Sequence, residues 1–324
     1  MSSLSDGVDA VLEATVAGSF SRVGYTVRSR LDHWQPPSRS GGLAGRTVLV
    51  TGATSGIGLA AAVRFAQLGA SVRFLARDQA RAEQTRVHIQ EAAGDDAEVS
   101  YDLADMSDFD ALRRFATRFA ETNSRLDVLA HNAGALSGDY GQAADGTELT
   151  SAAQVFGPFL LTGLLLPLLR HSAPARVITV SSGGMYTQRF DLAKLEMDRQ
   201  NYNGTVAYAR AKRAQVVLNH EWARRVTPDQ VVFHAMHPGW VDTPGIASSL
   251  PTFHRLMRPL LRTSGQGADT VVWLACDPEP LASSGGFWHD RRRRSEHRLP
   301  WTHGDDDGRG LWELTAARTG WDLP

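Results

Sequence analysis

Lysine is almost absent from this chain: of its 34 lysine and arginine residues, only Lys194 and Lys212 are lysines. Cysteine is scarcer still. Cys276 stands alone, which excludes an intramolecular disulfide and fits a reducing compartment. Its setting, Trp273-Leu-Ala-Cys-Asp277, reads as a buried helix position and not as a reactive thiol. Excess charge of either sign is missing too. With a formal net charge of -1 and a sequence pI near 6.8, nothing in the balance points to a polyanionic partner. The N-terminus lacks the charged start and apolar core of a secretory signal. The longest apolar stretch, Val155 to Leu169, is broken by Gly157, Thr162, Gly163 and Pro167. It reads as too short to span a bilayer and as a buried or interface helix. The preference for Arg over Lys fits a GC-rich genome, and a bacterial cytoplasmic setting is expected. What is present is 324 residues with 42% hydrophobic content, enough for one large α/β domain with extensions at both ends.

Where arginine supplies nearly all the positive charge, a retained lysine suggests a job arginine cannot do. Lys212 stands four residues after Tyr208 in a segment, Thr205 to Arg225, that reads as a helix. At that spacing the two side chains share one face. A compact ammonium on a flexible stem suits holding a neighbouring phenol in its anionic form. A solvated helix face that merely carries a lysine has the same spacing, so this pair alone does not decide.

The glycines do more. Arg46-Thr-Val-Leu-Val-Thr51 is a short β-branched run, followed at once by Gly52-Ala-Thr-Ser-Gly56-Ile-Gly58 and then by the amphipathic stretch Leu59 to Leu68. Strand, glycine turn and helix form the nucleotide-binding opening of a doubly wound parallel sheet. The glycines let backbone approach a pyrophosphate, and the helix N-terminus offers amide donors.

Taken in order, Gly52, Gly56 and Gly58, the run Asn132-Ala133-Gly134, Ser182, and Tyr208 with Lys212 resemble the motifs of the short-chain dehydrogenases/reductases, over about residues 44 to 290. The 25 residues between Ser182 and Tyr208 are similar to the longer excursion of that family's retinol-dehydrogenase-like branch. The resemblance implies a Rossmann fold and a nicotinamide dinucleotide cofactor. It implies Tyr208 as general acid and base, Lys212 as the charge that lowers its pKa and holds the nicotinamide ribose, and Ser182 as donor to the substrate oxygen. It places cofactor contacts at Gly52, Thr54, Ser55, Gly56, Ile57 and Gly58, and at Asn132, Ala133 and Gly134. Further contacts are implied at Pro238, Gly239, Val241 and Thr243, with Asp102 and Leu103 flanking the adenine. Ala76 followed by Arg77 at the end of the second strand resembles members that prefer NADP(H), since guanidinium suits a phosphate and no acid is there to grip a ribose hydroxyl.

Two positions depart from the family pattern. His131 precedes Asn132 where an Asn is usual, and reads as a packed strand-end residue. Gln154 stands where a fourth catalytic residue, an Asn of the proton relay, is expected. The added methylene puts that relay in doubt.

Along the chain, residues 1–45 read as a helical arm and linker, with one or two helices between Val8 and Leu31 and a turn-rich Gln35 to Gly42. Residues 46–290 form the α/β domain, and residues 291–324 a tail whose tryptophans should pack on the body and help close the substrate pocket. Arg291 to Arg294 and Asp305 to Asp307 read as solvated charge runs with some mutual pairing. The helix from Leu149 to Arg170 should be interrupted by Pro158 and Pro167. By resemblance it packs across a subunit boundary, which implies a homodimer or homotetramer. Met185, Tyr186, Phe190, Trp240, Ile246 and Leu250 are expected at an apolar pocket mouth suited to a lipophilic or aromatic substrate. His234 and His237 should diverge, and no metal is expected. The expectation is an NADP(H)-dependent oxidoreductase interconverting a carbonyl and an alcohol. The alternatives are a non-catalytic dinucleotide-binding sensor or scaffold and, more remotely, a sugar-nucleotide epimerase or dehydratase.

Overall fold

The computed structural model describes residues 3–35, 42–304 and 306–323. Among them, eight strands form one sheet in the order β3-β2-β1-β4-β5-β6-β7-β8. These are β1 (Thr47–Thr51), β2 (Ser71–Ala76), β3 (Val99–Leu103), β4 (Val128–His131), β5 (Ala175–Val180), β6 (Val231–Met236), β7 (Gly286–His289) and β8 (Arg292–Arg293). All pair in parallel except β8, which runs antiparallel to β7.

The side-chain period of two sorts the central strands between two cores. Leu49, Leu129 and Val177 point to the face covered by helices Phe109–Thr122, Gly157–His171 and Gly204–Arg225. Val48, Val50, Ala130 and Ile178 point to the face covered by Gly56–Gln67, Gln79–Ala93 and Ser264–Cys276. The helix Phe109–Thr122 shows why these segments coil: Asp108 accepts from the Ala111 amide at 2.8 Å, and Leu112, Phe115, Ala116 and Phe119 recur at helical spacing on the buried side.

The expected interruption of the long apolar helix does not occur. Leu149–Ser151, a π-helical turn at Ala152–Phe156, and Gly157–His171 run on as one rod. Pro158 follows the π segment directly, where the Gln154 carbonyl accepts from the Gln215 side chain at 2.6 Å, and Pro167 is accommodated further on. This 23-residue rod is long and apolar enough to cross a membrane, so shortness is not what distinguishes it. It lies instead inside the fold, with Phe159, Leu160, Leu161 and Leu165 fully enclosed.

The C-terminal helix Gly308–Thr319 packs on the same side, and Trp312 and Trp321 close over Phe159 and Trp222. Gly163 is needed there, because a Cβ would collide with the Trp321 indole. That face of the rod is therefore occupied by the chain's own tail, not left free for another subunit. The tail packs on this outer surface, while Trp301 stays exposed at 65%.

The arm folds as three helices, Ser3–Glu13, Val16–Phe20 and Arg22–Leu31; most of the expected linker, residues 36–41, lies outside the described residues. The arm explains the arginine run, which is not a solvated segment. The sheet continues past residue 290 into β8, and Arg292 and Arg294 pair with Asp6, Asp9 and Asp32 of the arm. Asp306 pairs with Arg213, and Asp307 caps the last helix.

Deepest in this contact, Arg28 bridges Asp9 and Asp290 at 2.7 Å each, and Arg262 holds Asp290 at 2.5 Å. Arg262 also donates to the Phe20 carbonyl at 3.0 Å and to the Pro238 carbonyl at 3.2 Å. The Trp240 amide donates to the same Phe20 carbonyl at 2.8 Å. Residues 238–240, at the carboxyl end of β6, thus hang from the arm.

Candidate active site

The carboxyl ends of the parallel strands form one rim, where open α/β sheets bind their ligands. After β1, Gly52 adopts φ +70°, and a Cβ there would stand 2.7 Å from the Ala133 Cα. Gly58 tolerates no side chain either, because its Cβ would overlap the Gly52 carbonyl and the Asn132 amide. The turn is held from β4. Asn132 Nδ2 donates to the Gly52 carbonyl at 2.9 Å, and Thr51 Oγ1 accepts from the amides of Asn132 and Ala133 at 3.1 and 3.0 Å. Ser55 precedes the helix Gly56–Gln67 without capping it, so its side chain leaves the first-turn amides unclaimed. The missing Cβ atoms, the fixed turn and a helix N-terminus together fit a pyrophosphate. Gly56 faces the Thr243 methyl across the crevice, Ile57 and Val241 both pack on Gly267, and Thr243 caps the short helix Pro244–Ser249.

Arg77 follows β2 with its side chain 76% exposed and Asp105 at 3.6 Å. Asp78 is engaged as the cap of the next helix, accepting from the Arg81 amide at 2.8 Å. Leu103 pairs with Ala76 across the sheet and is 43% exposed, and Asp102 beside it lies 3.8 Å from Arg118.

The reacting groups converge one strand further on. Ser182 follows β5 and Tyr208 opens the helix Gly204–Arg225, in which Lys212 is one turn later. Burial pushes the Tyr208 phenol above its ordinary value, while a hydrogen bond with Ser182 opposes the rise. The Lys212 Nζ sits 5.5 Å from the Tyr208 ring centre and donates to the Val180 carbonyl at 2.9 Å. Burial brings its pKa down to about 7. Ser181, by contrast, turns inward and donates to the Lys212 carbonyl at 2.9 Å.

Gln154 lies in the π-helical turn, and its Nε2 donates to the Ala135 carbonyl at 2.8 Å. Its Oε1 is buried without a hydrogen-bond partner. Both that oxygen and the Lys212 ammonium crowd Gly134, where a Cβ would lie 3.0 and 2.8 Å from them. His131 is packed against Thr162, with Nε2 2.8 Å from its hydroxyl, and burial lowers its pKa to about 3. His234 and His237 diverge: the first accepts from Trp288 Nε1 at 3.1 Å, and the second stacks on His289 with ring centres 3.8 Å apart.

Half of the expected pocket mouth belongs elsewhere. Met185 and Tyr186 are buried in one core cluster with Phe20 of the arm, which packs over Gly183 and Tyr186, and Phe190 is buried in the larger core on the rod's side of the sheet. Trp240, Ile246 and Leu250 remain partly exposed, and Phe253 joins them edge-on to Trp240. Sequence reasoning missed Phe20, Arg262 and Gln215. Only Gln215, a polar residue one turn beyond Lys212 on a largely buried helix, left a local signal.

This rim of glycine turn, Asn132, Ser182, Tyr208 and Lys212 is that of a dinucleotide-dependent oxidoreductase. The short-chain dehydrogenase family model matches residues 46–252, and the chain belongs to that family. It is similar to human dehydrogenase/reductase SDR family member 12, with 40% identity over 79% of this chain and 80% of that protein. Mouse retinol dehydrogenase 14 is 34% identical over 85% of this chain and 86% of its own. Among solved structures, an oxidoreductase of E. coli superposes with a TM-score of 0.65 at 26% identity, covering 80% of this chain and 100% of that one. A short-chain dehydrogenase of Escherichia coli CFT073, solved with NADPH, gives 0.62 at 26% identity, covering 79% and 100%. The chain is an NAD(P)-dependent oxidoreductase of the retinol-dehydrogenase-like branch, acting between carbonyl and CH–OH groups.

Proposed function

We propose that this protein is an NADP(H)-dependent reductase of lipophilic or aromatic carbonyl compounds, working reversibly on the alcohols, in the cytoplasm, with Tyr208 as its acid and base. The observation that carries the reading is the convergence of Ser182, Tyr208 and Lys212 beside the glycine turn. The reduced dinucleotide, when bound, supplies the hydride. Ser182 would hold the substrate oxygen, and the Tyr208 hydroxyl would give up its proton to that oxygen as the C–H bond forms. Lys212 would steady the phenolate left behind. The preference for NADP(H) is supported by Arg77, an exposed guanidinium next to Leu103 with no acid at Ala76. The apolar substrate class is supported by Trp240, Ile246, Leu250 and Phe253 on the open side of the rim.

Binding of NADPH and NADH to wild type and Arg77→Ala tests the reading. NADPH should bind more tightly than NADH, and Arg77→Ala should weaken NADPH by roughly 10- to 100-fold, the worth of one charge-assisted contact. A carbonyl panel then follows, with Tyr208→Phe as the inactive control. Absence of binding by either dinucleotide to folded protein would overturn the proposal. The bulged turn at Gln154, with its unpartnered oxygen, favours a second reading, a binder without turnover. That reading expects dinucleotide affinity, no reduction of any carbonyl, and no effect of Tyr208→Phe.

A further inference from the structure

The helix carrying Tyr208 and Lys212 presents a third polar side chain to the same spot. Gln215 is 4% exposed, one turn past Lys212. Its Oε1 accepts from the Lys212 ammonium at 3.2 Å, and its Nε2 donates to the Gln154 carbonyl at 2.6 Å. The second of these bonds has a cause in the sequence. Gln154 lies in the π-helical turn just before Pro158, and Pro158 has no amide to offer its carbonyl. That gap leaves the carbonyl open to a donor from outside its own helix. Gln215 is that donor, and the orientation it takes to donate turns its oxygen onto Lys212.

We infer that Gln215 is a positioning residue for Lys212, its amide spanning from the ammonium to the Gln154 carbonyl and fixing the ammonium beside Tyr208. The inference rests on the Tyr208–Lys212 chemistry proposed above. Two of the three N–H groups of the ammonium are held by protein acceptors, Val180 O and Gln215 Oε1, which leaves the remaining one for the reacting side. Besides Gln215, the titratable groups facing Lys212 are Tyr208 on its own helix and His131 at the end of β4. Burial keeps His131 neutral near pH 7, and among the described residues no carboxylate contributes to the shift of the ammonium. The Gln215 oxygen is one of the two dipoles that hold it, and removing that oxygen should make protonation of Lys212 harder.

The scarcity of lysine makes this directly measurable. Protein grown on lysine labelled with 13C at the ε-carbon yields two titrating signals, Lys194 and Lys212. Lys194 is 63% exposed and paired with Asp191, so it serves as the internal reference. In wild type the Lys212 signal should titrate well below that of Lys194. Gln215→Leu should lower its midpoint further, by about half to one pH unit, and Gln215→Glu should raise it by more than about one unit. The opposite signs separate contact with the ammonium from a general loss of packing, which moves neither midpoint in a charge-dependent way. Should Gln215→Leu fail to fold, Gln215→Glu still carries the test. A Lys212 midpoint that stays at the wild-type value in every folded variant overturns the inference. The titration uses no dinucleotide, so a wild type that binds no NADPH would sink the proposed function without touching this result.

Discussion

Replacing Asp290 with Asn should loosen the arm and, through it, the loop at residues 238–240. Asn keeps the shape of the side chain and tolerates the left-handed backbone of this hairpin turn, where Asp290 has φ +52°. The charge is lost, together with one of the two oxygens that accept from Arg28 and Arg262. Arg28 would retain Asp9 and Glu13, but Arg262, 1% exposed, would keep only backbone carbonyls, His289 and the Tyr25 ring, with no ionised partner among the described residues. Breaking a buried pair so that one charge stays uncompensated costs about 3–5 kcal/mol. A chain of 324 residues unfolds with an entropy of ~0.7 kcal/mol/K, at about 2.1 cal/mol/K per residue, so the melting temperature should fall by ~4–7 °C. Differential scanning calorimetry at pH 7 measures this, and limited proteolysis should show cutting within the first 35 residues before the body is attacked. A fall below about 1 °C, with the arm still protected, would mean that the carbonyls already satisfy Arg262 and that Asp290 does not hold the arm.

Lys212 gives a pH signature of its own. Its pKa is about 7 in the folded chain against 10.5 in the unfolded one, so the unfolded state holds more protons between these values. The cost of burying this lysine is fully present below pH 7 and declines, by up to about 1.4 kcal/mol per unit, as pH rises from about 7 to 10.5. Thermal melts should therefore show Lys212→Met above wild type at pH 7, with a gap that narrows by pH 9; a constant gap would refute this. Gly58→Ala should cost about 1–3 kcal/mol and weaken dinucleotide binding more than about tenfold, since its methyl has no space between Gly52 and Asn132. Gly7→Ala, with nothing within 4 Å, is the control and should be neutral or slightly stabilising. Equal behaviour of the two would discard the close-approach argument.

The parts legible in the sequence are those whose physics is local. Gly52 and Gly58 are demanded by a turn a few residues long, the central strands by short β-branched runs, and Tyr208 and Lys212 by the pitch of one helix. What escaped depends on distant partners. Arg292–Arg293 has no strand pattern and joins the sheet because β7 and the arm's carboxylates hold it there. Met185 and Tyr186 follow a site strand just as pocket residues would, and the residues that cover them, Phe20 more than 160 positions earlier and Phe287 some 100 later, are distant in the chain. Gln154 was recognised as a departure from the family, but the π-helical turn and the role of Pro158 show only once the helix is seen with Gln215 against it.

The arm also sets an order of events during synthesis. It leaves the ribosome before the α/β domain, yet its ion partners Asp290, Arg292, Arg294 and Arg298 follow it by some 260 to 290 residues. The sheet up to β6 can assemble from neighbouring segments while the arm has only its internal pairs of Arg28 with Asp9 and Glu13. Phe20 can meet Trp240 and Arg262 earlier, but the ion pairs of Asp290 with Arg28 and Arg262 form only once the β7–β8 hairpin has emerged. The active-site rim is thus completed when the arm meets the β7–β8 hairpin, and a nascent chain stopped short of residue 290 would carry its glycine turn, Ser182, Tyr208 and Lys212 without the Asp290 clasp on Arg28 and Arg262.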